Sequence, residues 1–170
     1  MGTKIMGKKL IAQQAAVLPF VSPVVERDNA IIAEALAILK TRMYRETTFD
    51  SPGAAKKYLT VLLSESVREE FIVLYLDVQH GLIAVETAST GTLTQTSVYP
   101  REIVRAAIKH NAGAVMLCHN HPSGRPEPSR ADEMLTANLK RTLAGIDVTV
   151  LDHFIVAGGE CMSFAESGLL

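Results

Sequence analysis

Apolar residues recur at helical spacing between residues 24 and 43, at Ile31, Ile32, Ala35, Leu36, Ile38 and Leu39. Glu26, Arg27, Asp28, Glu34 and Lys40 take much of the remaining surface, and that period predicts an amphipathic helix. Residues 41–50 are polar and predict a loop. Ser51-Pro52 then supplies an N-cap with proline at the first helical position, so a second helix is expected to about Ser64. The period changes at residue 71. Phe71-Ile72-Val73-Leu74-Tyr75-Leu76 is an apolar run of strand length, 77–81 supplies a turn, and 82–88 predicts the second arm of a hairpin. Gly91-Thr92-Leu93 predicts a turn and short extension that ends at Val98-Tyr99. Pro100 opens a third helix on Ile103, Val104, Ala107 and Ile108, closed by Asn111-Ala112-Gly113.

Residues 114–118 carry no polar side chain and predict a short strand buried on both faces of a sheet. Past a Pro/Gly loop, Ser129 caps a fourth helix bearing Met134, Leu135, Leu139 and Leu143, which stops at Gly145. Strands are expected at 146–151 and 154–156, a hairpin turn at Ala157-Gly158-Gly159-Glu160, and a final helical turn over 163–168. This order predicts an α/β fold, a mixed β-sheet flanked by helices and preceded by two N-terminal helices. It divides the chain into a flexible tail or docking arm at 1–22, a helical segment at 23–64 and a main domain at 65–170.

Composition changes the picture little. A length of 170 residues, 48% hydrophobic and 21% charged, suits one ordinary globular domain, and a net charge of −1 gives no overall footprint for nucleic acid. Arg101 and Arg105, on one helix face, are the candidate local pair for phosphate or carboxylate, although such a pair is usually a solvated surface. Cys118 and Cys161 form no disulfide framework, so a cytoplasmic protein is expected. The apolar run after Lys8-Lys9 is broken at Gln13-Gln14, too short for a membrane span or signal peptide.

Candidate chemistry concentrates after the apolar strand. Residues i and i+2 of extended backbone point the same way, roughly 7 Å apart at Cα, so His119 and His121 can offer two imidazoles to one ion. Asp132 follows in the first turn of the next helix, brought round by a loop containing Pro122, Gly124, Pro126 and Pro128. Two nitrogens and one carboxylate oxygen with a fourth position open is the catalytic zinc pattern. The plainer reading is that Ser129 and Asp132 merely cap the helix, where hydroxyl and carboxylate are favourable without any metal. His153 is a candidate for orienting a ligand or an ordinary core histidine, His80 lies in a hairpin turn, and His110 sits at a helix C-terminus. Cys118 reads as a buried small residue.

His119-x-His121-Pro122-x6-Ser129-x2-Asp132 matches the JAMM (MPN+) metalloprotease motif without a gap. Val98-Tyr99-Pro100-Arg101-Glu102, Leu151-Asp152-His153 and Ser163-Phe164-Ala165-Glu166-Ser167-Gly168 resemble the RadC-like branch of that superfamily, from about residue 65 to the C-terminus. The resemblance implies a JAB/MPN, cytidine-deaminase-like fold, with His119, His121 and Asp132 holding Zn2+ and a water in the fourth position. It implies that Ser129 hydrogen-bonds a developing oxyanion and that a glutamate before the first strand is the general base. Glu69 fits best, because Glu69-x-Phe71 resembles this branch; Glu70 is the fallback and otherwise a solvated charge. The run 71–76 lacks the glycine of the deubiquitinating branch, so ubiquitin-like substrates are not supported. The short N-terminal part, without a Gly-rich hairpin, implies a form lacking the helix-hairpin-helix unit. The expected function is a zinc-dependent hydrolase, a metallopeptidase or isopeptidase acting on a peptide or protein. The alternative is a DNA-repair-associated module that binds DNA or a partner, with a metal site of non-proteolytic role. Phosphodiester cleavage, a third option, has no specific support in this donor set.

Overall fold

The computed structural model describes residues 23–45, 52–63, 66–91 and 98–170. The 1–22 tail, the Ser51 cap, most of the 91–97 extension and the polar stretch 46–50 lie outside them. The elements run α1 (Pro23–Arg45), α2 (Pro52–Leu63), β1 (Glu70–Leu76), β2 (Leu82–Thr90), α3 (Pro100–Lys109), β3 (Ala114–Asn120), α4 (Arg130–Ala144), β4 (Thr149–Ala157) and β5 (Glu160–Ser163). Among the described residues, five strands form one mixed sheet in the order β2-β1-β3-β4-β5, in which β3 and β4 are parallel and the other neighbours antiparallel. This is the α/β architecture expected from the order of apolar runs.

Four boundaries differ, each for a local reason. The α1 helix continues through Thr41 to Arg45, since no breaker intervenes and the Thr41 hydroxyl donates to the Ala37 carbonyl at 2.9 Å. Val98 and Tyr99 are not a strand but the lead-in to α3, where Tyr99 occupies the N-cap without a side-chain cap and Pro100 starts the helix. The expected strands at 146–151 and 154–156 are one strand, β4, with an irregularity opposite Val115/Met116 where Asp152-His153 was read as a break. A fifth strand, Glu160–Ser163, follows the glycine turn; four residues were too few to show a period. Beyond it, Ser167 N–H donates to Ser163 O and closes the single expected helical turn.

Alternation along the central strands sorts the core into two layers. Even positions of β1 and β3 (Ile72, Leu74, Leu76; Ala114, Met116, Cys118) pack with Ala55, Tyr58, Leu59 and Leu63 of α2. Odd positions (Phe71, Val73, Tyr75; Val115, Leu117) pack with Ile103 and Ala107 of α3 and Leu139 and Leu143 of α4. Val148, just before β4, and Val150 within it belong to the α3/α4 layer, as even positions, yet Phe154 and Val156 belong to the α2 layer. The irregularity at 151–152 therefore inverts the alternation and turns His153 toward α4. Such bulges commonly re-aim a side chain beside a functional site.

The α2 helix is thus part of the core, while α1 leaves Ile31 and Ile38 exposed and, among the described residues, adds Leu36 and Leu39 to the packing. Leu59→Ala is expected to cost about 2–4 kcal/mol in urea denaturation, and Ile31→Ala less than about 0.5 kcal/mol. Equal effects would contradict this division.

Candidate metal centre

The apolar strand β3 extends two residues further than its hydrophobic run, to His119 and Asn120, because the β1 and β4 ladders continue to pair on either side. His121 N–H then donates to Val156 O at 2.9 Å, which carries the β4 pairing one residue beyond the strand. A tight turn follows, closed by Gly124 N–H to His121 O at 3.0 Å, with Gly124 at φ +76°. The β4–β5 turn braces this loop: a Cβ on Gly158 (φ +56°) would sit 3.3 Å from the Gly124 carbonyl oxygen. Ser129 ends the loop as the N-cap of α4.

The two expected imidazoles and the carboxylate do converge. His119 Nε2 lies 2.9 Å from His121 Nε2 and 3.4 Å from Asp132 Oδ1, and His121 Nε2 lies 3.6 Å from Asp132 Oδ2. Ligand atoms of all three fall within 4.8 Å of one another, a group able to hold a metal ion. His119 is fully buried, and the other two are half-buried at the mouth. The Nδ1 of His121 stands 2.8 Å from the Arg125 carbonyl, which only accepts, so Nδ1 carries the proton and Nε2 keeps its lone pair. Donor type, lone-pair direction and spacing all suit zinc with an open position.

Asp132 is held by a capping box. Its Oδ2 accepts from the Ser129 amide at 2.7 Å and hydroxyl at 2.6 Å, while its own amide donates to Ser129 Oγ at 3.2 Å. Capping leaves room for ligation: Oδ2 is occupied by Ser129 and Oδ1 faces His119. The Ser129 hydroxyl proton points at this carboxylate, so service to an oxyanion requires it to turn.

Electrostatics follow from burial. Desolvation lowers the His119 pKa from 6.5 to about 4, against the attraction of Asp132. Burial likewise lowers His153 to about 3, helped by neighbouring His119. His121 moves up, chiefly through the neighbouring Asp132 carboxylate and in smaller part through the charge of Glu69. Burial by itself would raise Asp132, but His121, Ser129 and His119 outweigh it and hold the carboxylate ionised. Burial also raises the Cys118 thiol well above its usual range, which leaves it the small core residue expected.

The two glutamates are placed differently. The β1–β3 register pairs Phe71 with His119, and Phe71 stacks on that imidazole at 6.0 Å between centroids. Glu69 precedes β1 by one residue, and its charge acts on His121. Glu70 belongs to the face opposite Phe71, where its carboxylate accepts from Ser66 Oγ at 3.2 Å. Two residues went unnoticed in the sequence. Asn120, between the histidines, points away from them; its Oδ1 accepts from the Glu70 amide at 2.8 Å and its Nδ2 donates to Ser66 O and Arg68 O. It thereby pins the segment that carries Glu69. Thr136, four residues after Asp132 on α4, lies buried behind the cluster next to His153. The helical spacing from Asp132 was its available signal.

Other candidates fall away from the centre. His110 caps α3 and pairs with Glu86 at 2.6 Å, and His80 occupies the β1–β2 turn at φ 64°. Arg101 and Arg105 both pair with Glu102.

A family model described as RadC-like JAB domain matches residues 49–169. The chain belongs to that family. Relatives named UPF0758 protein include one from Albidiferax ferrireducens, 55% identical over 141 residues, 83% of this chain and 60% of its own length. Another, from Variovorax paradoxus, is 53% identical over 141 residues (83% and 63%), and one from Dechloromonas aromatica is 57% identical over 133 residues (78% and 59%). The chain thus spans about three fifths of the curated relatives it matches. The match of this RadC-like domain takes in α2 as well as the sheet. Among the described residues, no helix is long and apolar enough to cross a membrane.

Because His119 and His153 are held neutral, the unfolded chain takes up protons below pH 6.5 that the folded chain refuses. As far as these two groups decide it, metal-free stability is level above 6.5 and falls as the pH drops from there toward 4. Urea denaturation with chelator at a series of pH values checks this; a profile flat through that window would contradict it.

Proposed function

We propose that this domain is a zinc-dependent hydrolase that cleaves an amide bond in a peptide or protein. The observation that carries this reading is the convergence of His119, His121 and Asp132, with the charge of Glu69 acting on His121. Zinc in such a donor set supplies Lewis acidity, acidifying water and polarising a carbonyl. His119, His121 and Asp132 would hold the ion. Glu69 takes the proton from the attacking water and returns it to the leaving amine, a role that needs a carboxylate at the mouth rather than in the core. The Ser129 hydroxyl, once turned from Asp132, donates to the oxygen that gains negative charge.

A groove of about 510 Å³ on the α2 side of the sheet is lined by Leu63, Ser66, Val67, Asn120 and Val156 and borders His121 at its edge. The nucleic-acid reading lacks comparable support, since Arg101 and Arg105 are already paired with Glu102.

Purified protein is expected to hold about one zinc per chain. His119→Ala should lose it, and Glu69→Gln should keep it while hydrolysis of a peptide library falls roughly 10²–10⁴-fold. Glu70→Gln should retain activity. Zinc-free wild type with no response to His119→Ala would overturn the reading. Ser129→Ala tests the capping box separately, with an expected cost of about 1 kcal/mol in denaturation.

A further inference from the structure

Behind the cluster, a line of buried polar atoms runs from one proposed ligand to another. His119 Nδ1 stands 2.8 Å from His153 Nε2, His153 Nδ1 stands 2.6 Å from Thr136 Oγ1, and Thr136 Oγ1 stands 2.6 Å from the Asp132 carbonyl oxygen. Each proton on this line can be assigned. A carbonyl only accepts, so the single Thr136 hydroxyl proton goes to Asp132 O. The Thr136 oxygen must then accept from His153, which places that proton on Nδ1 and leaves a lone pair on His153 Nε2. The lone pair accepts from His119 Nδ1–H. His119 is left with its Nε2 lone pair, facing His121 and Asp132.

We infer that Thr136 and His153 are positioning residues that hold His119 in the tautomer and ring orientation of an Nε2 metal ligand. This rests on the reading of His119 and Asp132 as ligands. The line leaves ligand His119 and returns to the backbone of ligand Asp132, so one relay braces both. It is dry: His153 and Thr136 are buried, and the His153 ring lies against Phe164 (4.7 Å, stacked) and Phe71 (5.5 Å, edge-on). Every polar atom of these two buried side chains is paired along the line, so the pocket fixes their orientation and through it that of His119.

The test is zinc affinity by chelator competition, together with the ¹⁵N resonances of His119 in metal-free protein. Thr136→Val keeps the shape and removes both hydrogen bonds. It should weaken zinc binding about 10–100-fold and mix the His119 tautomers. Thr136→Ser should restore both to the wild-type state. His153→Phe, which keeps a ring between Phe71 and Phe164, carries the same expectation for zinc, so misfolding of one variant leaves the other to decide. Zinc uptake that needs His119 but is unchanged by Thr136→Val and His153→Phe overturns the inference alone. Wild type that takes up no zinc, or His119→Ala that still does, overturns the metal-site reading and this inference with it.

Discussion

Two imidazole nitrogens 2.9 Å apart, both facing a carboxylate, are an arrangement that only a cation or a shared proton relieves. Much of the local structure serves to impose it. The Arg125 carbonyl fixes the proton of His121 on the far side of its ring, and the His153–Thr136 line does the same for His119. The capping box holds Asp132 so that one oxygen stays turned toward the two rings. Neutral nitrogens and an ionised oxygen are what a divalent ion requires of its ligands. Burial keeps His119 neutral, and the surrounding hydrogen bonds keep Asp132 ionised.

The sheet makes this possible through alternation. Strand β3 is central and apolar until its last two residues, and both neighbours pair with it as far as His119. Odd positions therefore deliver Phe71 and His119 to one face, and even positions deliver Asn120 to the other. Asn120 uses that opposite face to hold the chain at 66–70. Strand β4 would present the wrong face at His153 without its bulge, so one extra residue in a parallel ladder aims the ring that backs the first histidine.

Local patterns made much of this legible. The His-x-His spacing, the Ser-x-x-Asp cap and the apolar run before them are short-range features, and they point to three residues that the fold brings together. Helices α2 to α4 and the β1–β2 hairpin were likewise readable from period and caps. The failures were non-local. A bulge has no signature in one strand alone, so β4 looked like two strands, and β5 was too short to show alternation. Glu69 and Glu70 are adjacent and chemically alike, and no period along the chain separates them.

The sequence by itself thus determined the α/β order, the donor set and the helix cap, because each depends on neighbours within a few residues. Tertiary structure alone decided that His153, more than thirty residues after His119, stands 2.8 Å behind it, and that Thr136 joins them to Asp132. Those contacts arise from strand register and helix docking, which bring together groups that share no period along the chain. A tautomer is set by whatever atom a folded neighbour places against the ring, and nothing in the local sequence carries that information.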